Sequence, residues 1–303
     1  MKLIAVLFFC LIFSGCRTIR PPGHIPDGKV AVFIGQDNAT IHAYVAATGH
    51  VPAGFMTYTS IQDMDGVDDW SIDRGSGKFN ATELIEKYPG TALQIGLYMV
   101  DALKGTYQGQ YDHNIDKLAV WMKEIEVPVF LRVGYEFDGP HNHYGPRDYK
   151  KAYIYIVDKL KAAGVTNAVY VWHSFASTGG VDISEYYPGD DYADWAGISY
   201  FAQPQDLMQP MVDFAREKGK PVMIGEATPQ GRKTSHGHLV WAGWYQPLFR
   251  FVEANDIKII SYINSNWDIM PMYAGQNWGD ARIEEDEYIK KAWLDKVGEG
   301  NNW

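Results

Sequence analysis

"VPVFLRVGYE" (residues 127–136) is a nearly continuous run of branched and aromatic residues, and it reads as a buried strand. Its apolar residues are consecutive rather than alternating, so both of its faces must be covered, as in a parallel sheet with helices outside. Segments of helical character lie on either side, roughly Ile115–Glu126 and Pro146–Ala163. The run ends on Glu136, a carboxylate that is costly to hold there unless water, a partner or a substrate meets it. "KPVMIGEATPQG" (220–231) repeats the arrangement, with Glu226 at the tip of a second apolar run.

Working outward, the same alternation runs along the chain. Strands are expected at Val30–Ile34, Gly54–Thr59, Ala92–Met99, Val127–Tyr135, Ala168–His173, Trp195–Tyr200, Pro221–Gly225 and Ile257–Ile263. Helices fit between most of them: Thr40–Thr48, Ala81–Tyr88, Ile115–Glu126, Pro146–Ala163, Asp206–Lys218, His238–Ala254 and finally Glu284–Val297, with a turn-like stretch around Ser184–Asp191. Eight such units in about 270 residues predict an α/β fold, a single (β/α)8 TIM barrel over residues 30–303. A doubly wound open sheet is the alternative, but it would place a glycine-rich phosphate loop after the first strand. Gly35-Gln36-Asp37-Asn38 lacks that fingerprint.

The formal charge of −10 argues against a nucleic-acid partner, because phosphate contacts need a basic face. Residues 1–15 read as a lipoprotein signal: Met1-Lys2 is followed by the apolar run Leu3–Phe13, too short to span a bilayer. Phe13-Ser14-Gly15-Cys16 resembles a bacterial lipobox, which makes Cys16 the lipidation site and residues 16–29 a tether. An ordinary secretory signal is the alternative. The other cysteine, Cys10, lies inside the signal, so no internal disulfide is expected. These features predict a monomer in the bacterial cell envelope, at the outer membrane or cell surface, touching the membrane only through its lipid.

In a (β/α)8 barrel the chemistry lies at the carboxyl ends of the strands. Read in order, those ends carry Gln36-Asp37, Tyr58, Tyr98, Glu136, His173, Tyr200-Phe201, Glu226 and Asn264–Trp267, with a glutamate only at the fourth and seventh. Two carboxylates facing each other across a barrel mouth suit cleavage of a glycosidic bond. Arg132, four residues before Glu136, should point inward beneath the site and hold a carboxylate ionised. His173 could bond a sugar hydroxyl or serve the structure. His141 and His143, flanking Asn142, are expected to line the cleft with Tyr144; no third ligand near them suggests zinc. Asp63, Asp65, Asp68 and Asp69 read as a solvated acidic loop without the pattern of a calcium site. No metal or cofactor is expected.

The strand-four and strand-seven glutamates resemble those of the retaining clan A barrels, and the closer resemblance is to glycoside hydrolase family 26, which includes β-mannanases and β-1,3-xylanases. Arg132, Glu136 and Gly139 match its strand-four spacing, while Tyr135 stands where the family has histidine and Asp138 where it has asparagine. "VWHS" (171–174), "YYPGDDYADWAGISY" (186–200) and "KPVMIGE" (220–226) are similar to the segments that follow. The resemblance implies Glu136 as acid/base and Glu226 as nucleophile. It also implies substrate contacts from Arg132, Tyr135, His173, Tyr200 (bonded to the nucleophile) and Trp267 (an indole platform under the sugar), and a β-linked oligo- or polysaccharide as substrate. The alternatives are a non-catalytic glycan-binding lipoprotein and a transglycosylase.

Overall fold

The computed structural model describes residues 23–26, 28–176 and 180–298, so the signal, Cys16 and much of the tether lie outside the described residues. Strands β1 (Ala31–Gly35), β2 (Gly54–Ser60), β3 (Ala92–Tyr98), β4 (Val129–Val133), β5 (Ala168–Ser174), β6 (Trp195–Tyr200), β7 (Val222–Ala227) and β8 (Ile259–Ile263) pair in sequence order, all parallel, and β8 closes on β1. The barrel expected from the sequence is the barrel observed. Its outer layer comprises α1 (Asn38–Thr48), α2 (Ala81–Lys87), α3 (Leu103–Tyr107), α4 (Asp112–Ile125), α5 (Pro146–Ala162), α6 (Gln209–Glu217), α7 (His238–Val240), α8 (Gln246–Asn255) and α9 (Glu287–Val297). A 3-10 turn, Ile183–Tyr186, takes the place of a helix between β5 and β6, as its turn-like sequence suggests.

Two expected elements are interrupted. The helix read over His238–Ala254 contains a π-helical turn at Trp241–Tyr245, which leads into Pro247 in the first turn of α8. The strand read over Val127–Tyr135 stops at Val133, because Gly134 (φ 56°) and Glu136 (φ 52°) adopt the left-handed conformation. For glutamate that conformation is costly, and the neighbourhood fixes it. Asn142 donates from Nδ2 to the carbonyls of Tyr135 (2.9 Å) and Glu136 (3.0 Å), and Phe137 N–H donates to His173 O (3.0 Å). The turn swings the Glu136 side chain back over the barrel.

Inside the barrel, Ala31, Phe33, Phe130, Val169, Val171, Trp195, Met223 and Ile259 form an apolar lower layer. Ile25 packs against it, and Gly23 approaches Phe130 and Val169, so the incoming chain covers the bottom. Above lies a polar layer. Gln94 donates to Gly225 O (2.7 Å) and accepts from the Ser261 hydroxyl (2.5 Å). Glycines make room for bulky polar groups here: a Cβ on Gly96 would lie 2.8 Å from Arg132 Nη2, and one on Gly225 would lie 3.1 Å from the His173 ring.

Candidate active site

Arg132 follows Phe130 on the inner face of β4 and is fully buried. Its Nη1 donates to Glu226 Oε1 at 2.5 Å, and its guanidinium lies over the rings of Tyr58 (5.2 Å) and Tyr135 (5.0 Å). Glu226 reaches this position through an irregularity in β7. Gly225 faces inward, and strict alternation would turn Glu226 outward. The pairing with both neighbours slips here, so Ser199 opposes Glu226 on one side and the register shifts between Ile224 and Ala227 on the other. Consecutive residues therefore face the interior.

A hydrogen-bonded chain joins the two glutamates. Arg132 Nη1 also lies 3.1 Å from His173 Nδ1, His173 Nε2 lies 3.1 Å from Ser199 Oγ, and Ser199 Oγ lies 2.5 Å from Glu136 Oε1. Arginine can only donate, which fixes every direction that follows. Nδ1 accepts, so Nε2 carries the His173 proton and donates to Ser199, whose own proton goes to Glu136 Oε1. Burial first, then the charge of Arg132, drives the His173 pKa well below its usual range, so the ring is neutral. The other Glu136 oxygen, Oε2, is 2.8 Å from Nε2 of His141.

The electrostatics differ in one respect from the sequence reading. Glu226 is not simply held ionised by Arg132. Complete burial, reinforced by the charge on Glu136, pushes its pKa up to about 7 against the pull of Arg132 and of the Tyr58 hydroxyl. Arg132 cannot accept a proton and favours the charged form of Glu226, whereas Glu136 Oε2 faces an imidazole that can give or take a proton.

Of the residues read from the sequence, Glu136, Glu226, Arg132, Tyr135 and His173 come together, but not all in the expected roles. Tyr135 is half-buried beside Tyr58, at a ring separation of 5.3 Å, and borders the cleft. Arg132 and His173 are fully buried; Arg132 Nη1 and both His173 ring nitrogens have partners within the protein. Arg132 Nε and Nη2 have no hydrogen-bond partner among the described residues, and the guanidinium lies against the Tyr58 and Tyr135 rings, so both residues support the carboxylates from beneath rather than touch sugar. Tyr200 lies elsewhere: its hydroxyl accepts from Gln205 (2.6 Å) and its ring packs on Trp244 and Phe251, outside the barrel. Ser199, one residue earlier, has the inward position. Trp267 is no open platform, for it is buried beneath Tyr273 (4.6 Å) and Trp278 (5.0 Å) and its indole donates to Thr228 (2.9 Å). Tyr273 and Trp278 are the partly exposed rings, and burial first, then the charges of Glu226 and Glu136, raises the Tyr273 pKa. In the acidic loop, Asp63 and Asp65 hold Arg74 at 2.7 and 2.8 Å, which accounts for much of that charge.

A parallel (β/α)8 barrel with linked carboxyls at the ends of β4 and β7 defines a class of sugar-cleaving folds. The chain belongs to glycosyl hydrolase family 26, whose model matches residues 80–233. It is 32% identical to a β-1,3-xylanase, TXYA, of a Vibrio species, over 91% of this chain and 66% of that protein. It is 34% identical to a β-1,3-xylanase of an Alcaligenes species, over 90% of this chain and 64% of that one. It thus spans a little under two thirds of the length of these relatives. Among solved structures, a β-mannanase of Bacteroides ovatus superposes with a TM-score of 0.63 at 14% identity, covering 89% of this chain and 88% of the mannanase. The catalytic domain of a Bacillus endo-β-1,4-mannanase superposes with a TM-score of 0.60 at 18% identity, covering 78% and 77%.

Proposed function

We propose that the protein is a retaining glycoside hydrolase of β-linked polysaccharide, with Glu226 as nucleophile and Glu136 as acid/base. The observation that carries this reading is the chain Glu226–Arg132–His173–Ser199–Glu136, which gives the two carboxyls unequal partners. Glu226 attacks the anomeric carbon while the proton on Glu136 goes to the leaving oxygen. Glu136 then takes a proton from the water that releases the sugar from Glu226. Half-buried Tyr135 on one side, and Tyr273 and Trp278 on the other, offer rings on which sugar C–H faces can stack.

The names of the relatives favour β-1,3-xylan as substrate. Tyr135 supports a choice against mannan, because it occupies the position of the family's sugar-proximal histidine. Incubation with separate β-1,3-xylan, β-1,4-xylan, β-mannan and β-glucan samples, with products sized, tests this: release from β-1,3-xylan alone supports the reading, and cleavage of mannan alone would overturn it. We also propose lipid anchoring at Cys16 in the cell envelope. The chain approaches the barrel at its lower end, on Phe130 and Val169, so such a tether would leave the mouth free for a polymer. Metabolic labelling with a fatty acid, lost in Cys16→Ser, tests the anchor.

A further inference from the structure

The hydrogen-bond directions fixed by Arg132 decide where Glu136 carries its proton. Oε1 accepts from Ser199 and cannot hold one without opposing that hydroxyl. The acid proton therefore belongs on Oε2, the oxygen that faces His141 Nε2 at 2.8 Å. His141 lies on the turn after β4, edge-on to Phe175 beyond β5 (5.2 Å, 85°). Its side chain is 49% exposed, against 6% for Glu136, so it stands on the open side of the acid. Charged groups acting on it are Glu136 at the end of β4, Asp138 in the same turn and Glu226 from β7, all acidic.

Resting on the assignment of Glu136 as acid/base, we propose that His141 and Glu136 hold the catalytic proton between them, with His141 a positioning residue that keeps it at Oε2 until the leaving sugar arrives. One proton lies in the contact, as imidazolium against carboxylate or as imidazole accepting from Oε2–H. When the glycosidic C–O bond breaks, the leaving oxygen takes the proton from Oε2, leaving carboxylate and neutral imidazole. The water that attacks the glycosyl-enzyme returns a proton to Oε2, and the pair is restored without another reactant. A proton with two bases to occupy is lost at higher pH than from either alone. The hydrogen bond to Glu136 raises the His141 pKa in the same sense.

The test is the pH profile of kcat/KM on polysaccharide for the full chain, His141→Gln and His141→Phe; the second keeps a ring against Phe175. In both variants the basic limb is expected to move down by about one pH unit, a roughly tenfold loss above the wild-type limb. An aryl glycoside with a good leaving group should be cleaved almost normally. Imidazole should restore part of the lost limb in His141→Ala. An unmoved limb in both variants, or a loss equal at every pH, would overturn the proposal. The underlying assignment has its own control: Glu136→Ala should still cleave the aryl glycoside. If it does not, the acid/base assignment fails and the proposal falls with it; if it does while the limb stays fixed, the proposal about His141 alone fails.

Discussion

At the bottom of the barrel, Phe130 meets Phe33 and Trp195 edge to face, at 5.5 and 5.4 Å, in a layer without a charged group. Two residues further along the same strands, Phe130 gives way to Arg132 and Val171 to His173, both buried, and their partners are one another, Ser199 and the glutamates. The lower layer gains free energy simply by excluding water. The upper layer removes a guanidinium and carboxyls from water and recovers that cost only through geometry. Stability therefore explains the lower layer, and the upper one is accounted for by the chemistry it holds in place.

The comparison can be broken at either level. Glu226→Gln leaves Arg132 an acceptor but removes the proposed nucleophile, so hydrolysis should fall by about 10⁴-fold or more with circular dichroism unchanged. Phe130→Ala should do the reverse: about 3–5 kcal/mol lost in denaturant unfolding, with kcat/KM of the folded protein nearly intact.

The upper layer also predicts a pH dependence. The Glu226 pKa is raised from 4.5 to about 7, so the native state binds a proton that the unfolded state releases. Stability from this group is full below about 4.5 and is lost as pH rises towards 7, by roughly 3 kcal/mol. Unfolding curves at pH 5 and 8 should show that difference in the wild type and much less of it in Glu226→Gln. Ser199→Ala, which takes the donor from Glu136 Oε1, should have the smallest effect on stability, about 1–2 kcal/mol. It should lower kcat with KM little changed.

Much of this arrangement was legible in the sequence. Continuous apolar runs gave the parallel barrel, and strand ends gave Glu136 and Glu226, because a carboxylate after such a run stands out against its surroundings. Arg132 was legible as inward-facing from its place in β4. Tyr200 was misplaced because side chains alternate along a strand: inward-facing Trp195 and Gly197 put Ser199 inside and Tyr200 outside, and the sequence did not show which of the two sets faces in. Nothing local in "GISYF" announces it. Trp267 was misread because the turns that bring Tyr273 and Trp278 over it have no periodic signature. Tyr58 was visible as a strand end, but its link to Glu226 depends on closure of β2 near β7 across the barrel, which only three dimensions supply.

The central claim is that the unequal partners of the two glutamates give them opposite roles. The most direct measurement is proton NMR of the glycosyl azide formed from an activated aryl β-glycoside by Glu136→Ala and by Glu226→Ala. Azide should attack the glycosyl-enzyme of Glu136→Ala and give the β-azide, with retained configuration. In Glu226→Ala it should occupy the vacated space and give the inverted α-azide. The same anomer from both variants, or the two outcomes exchanged, would contradict the assignment.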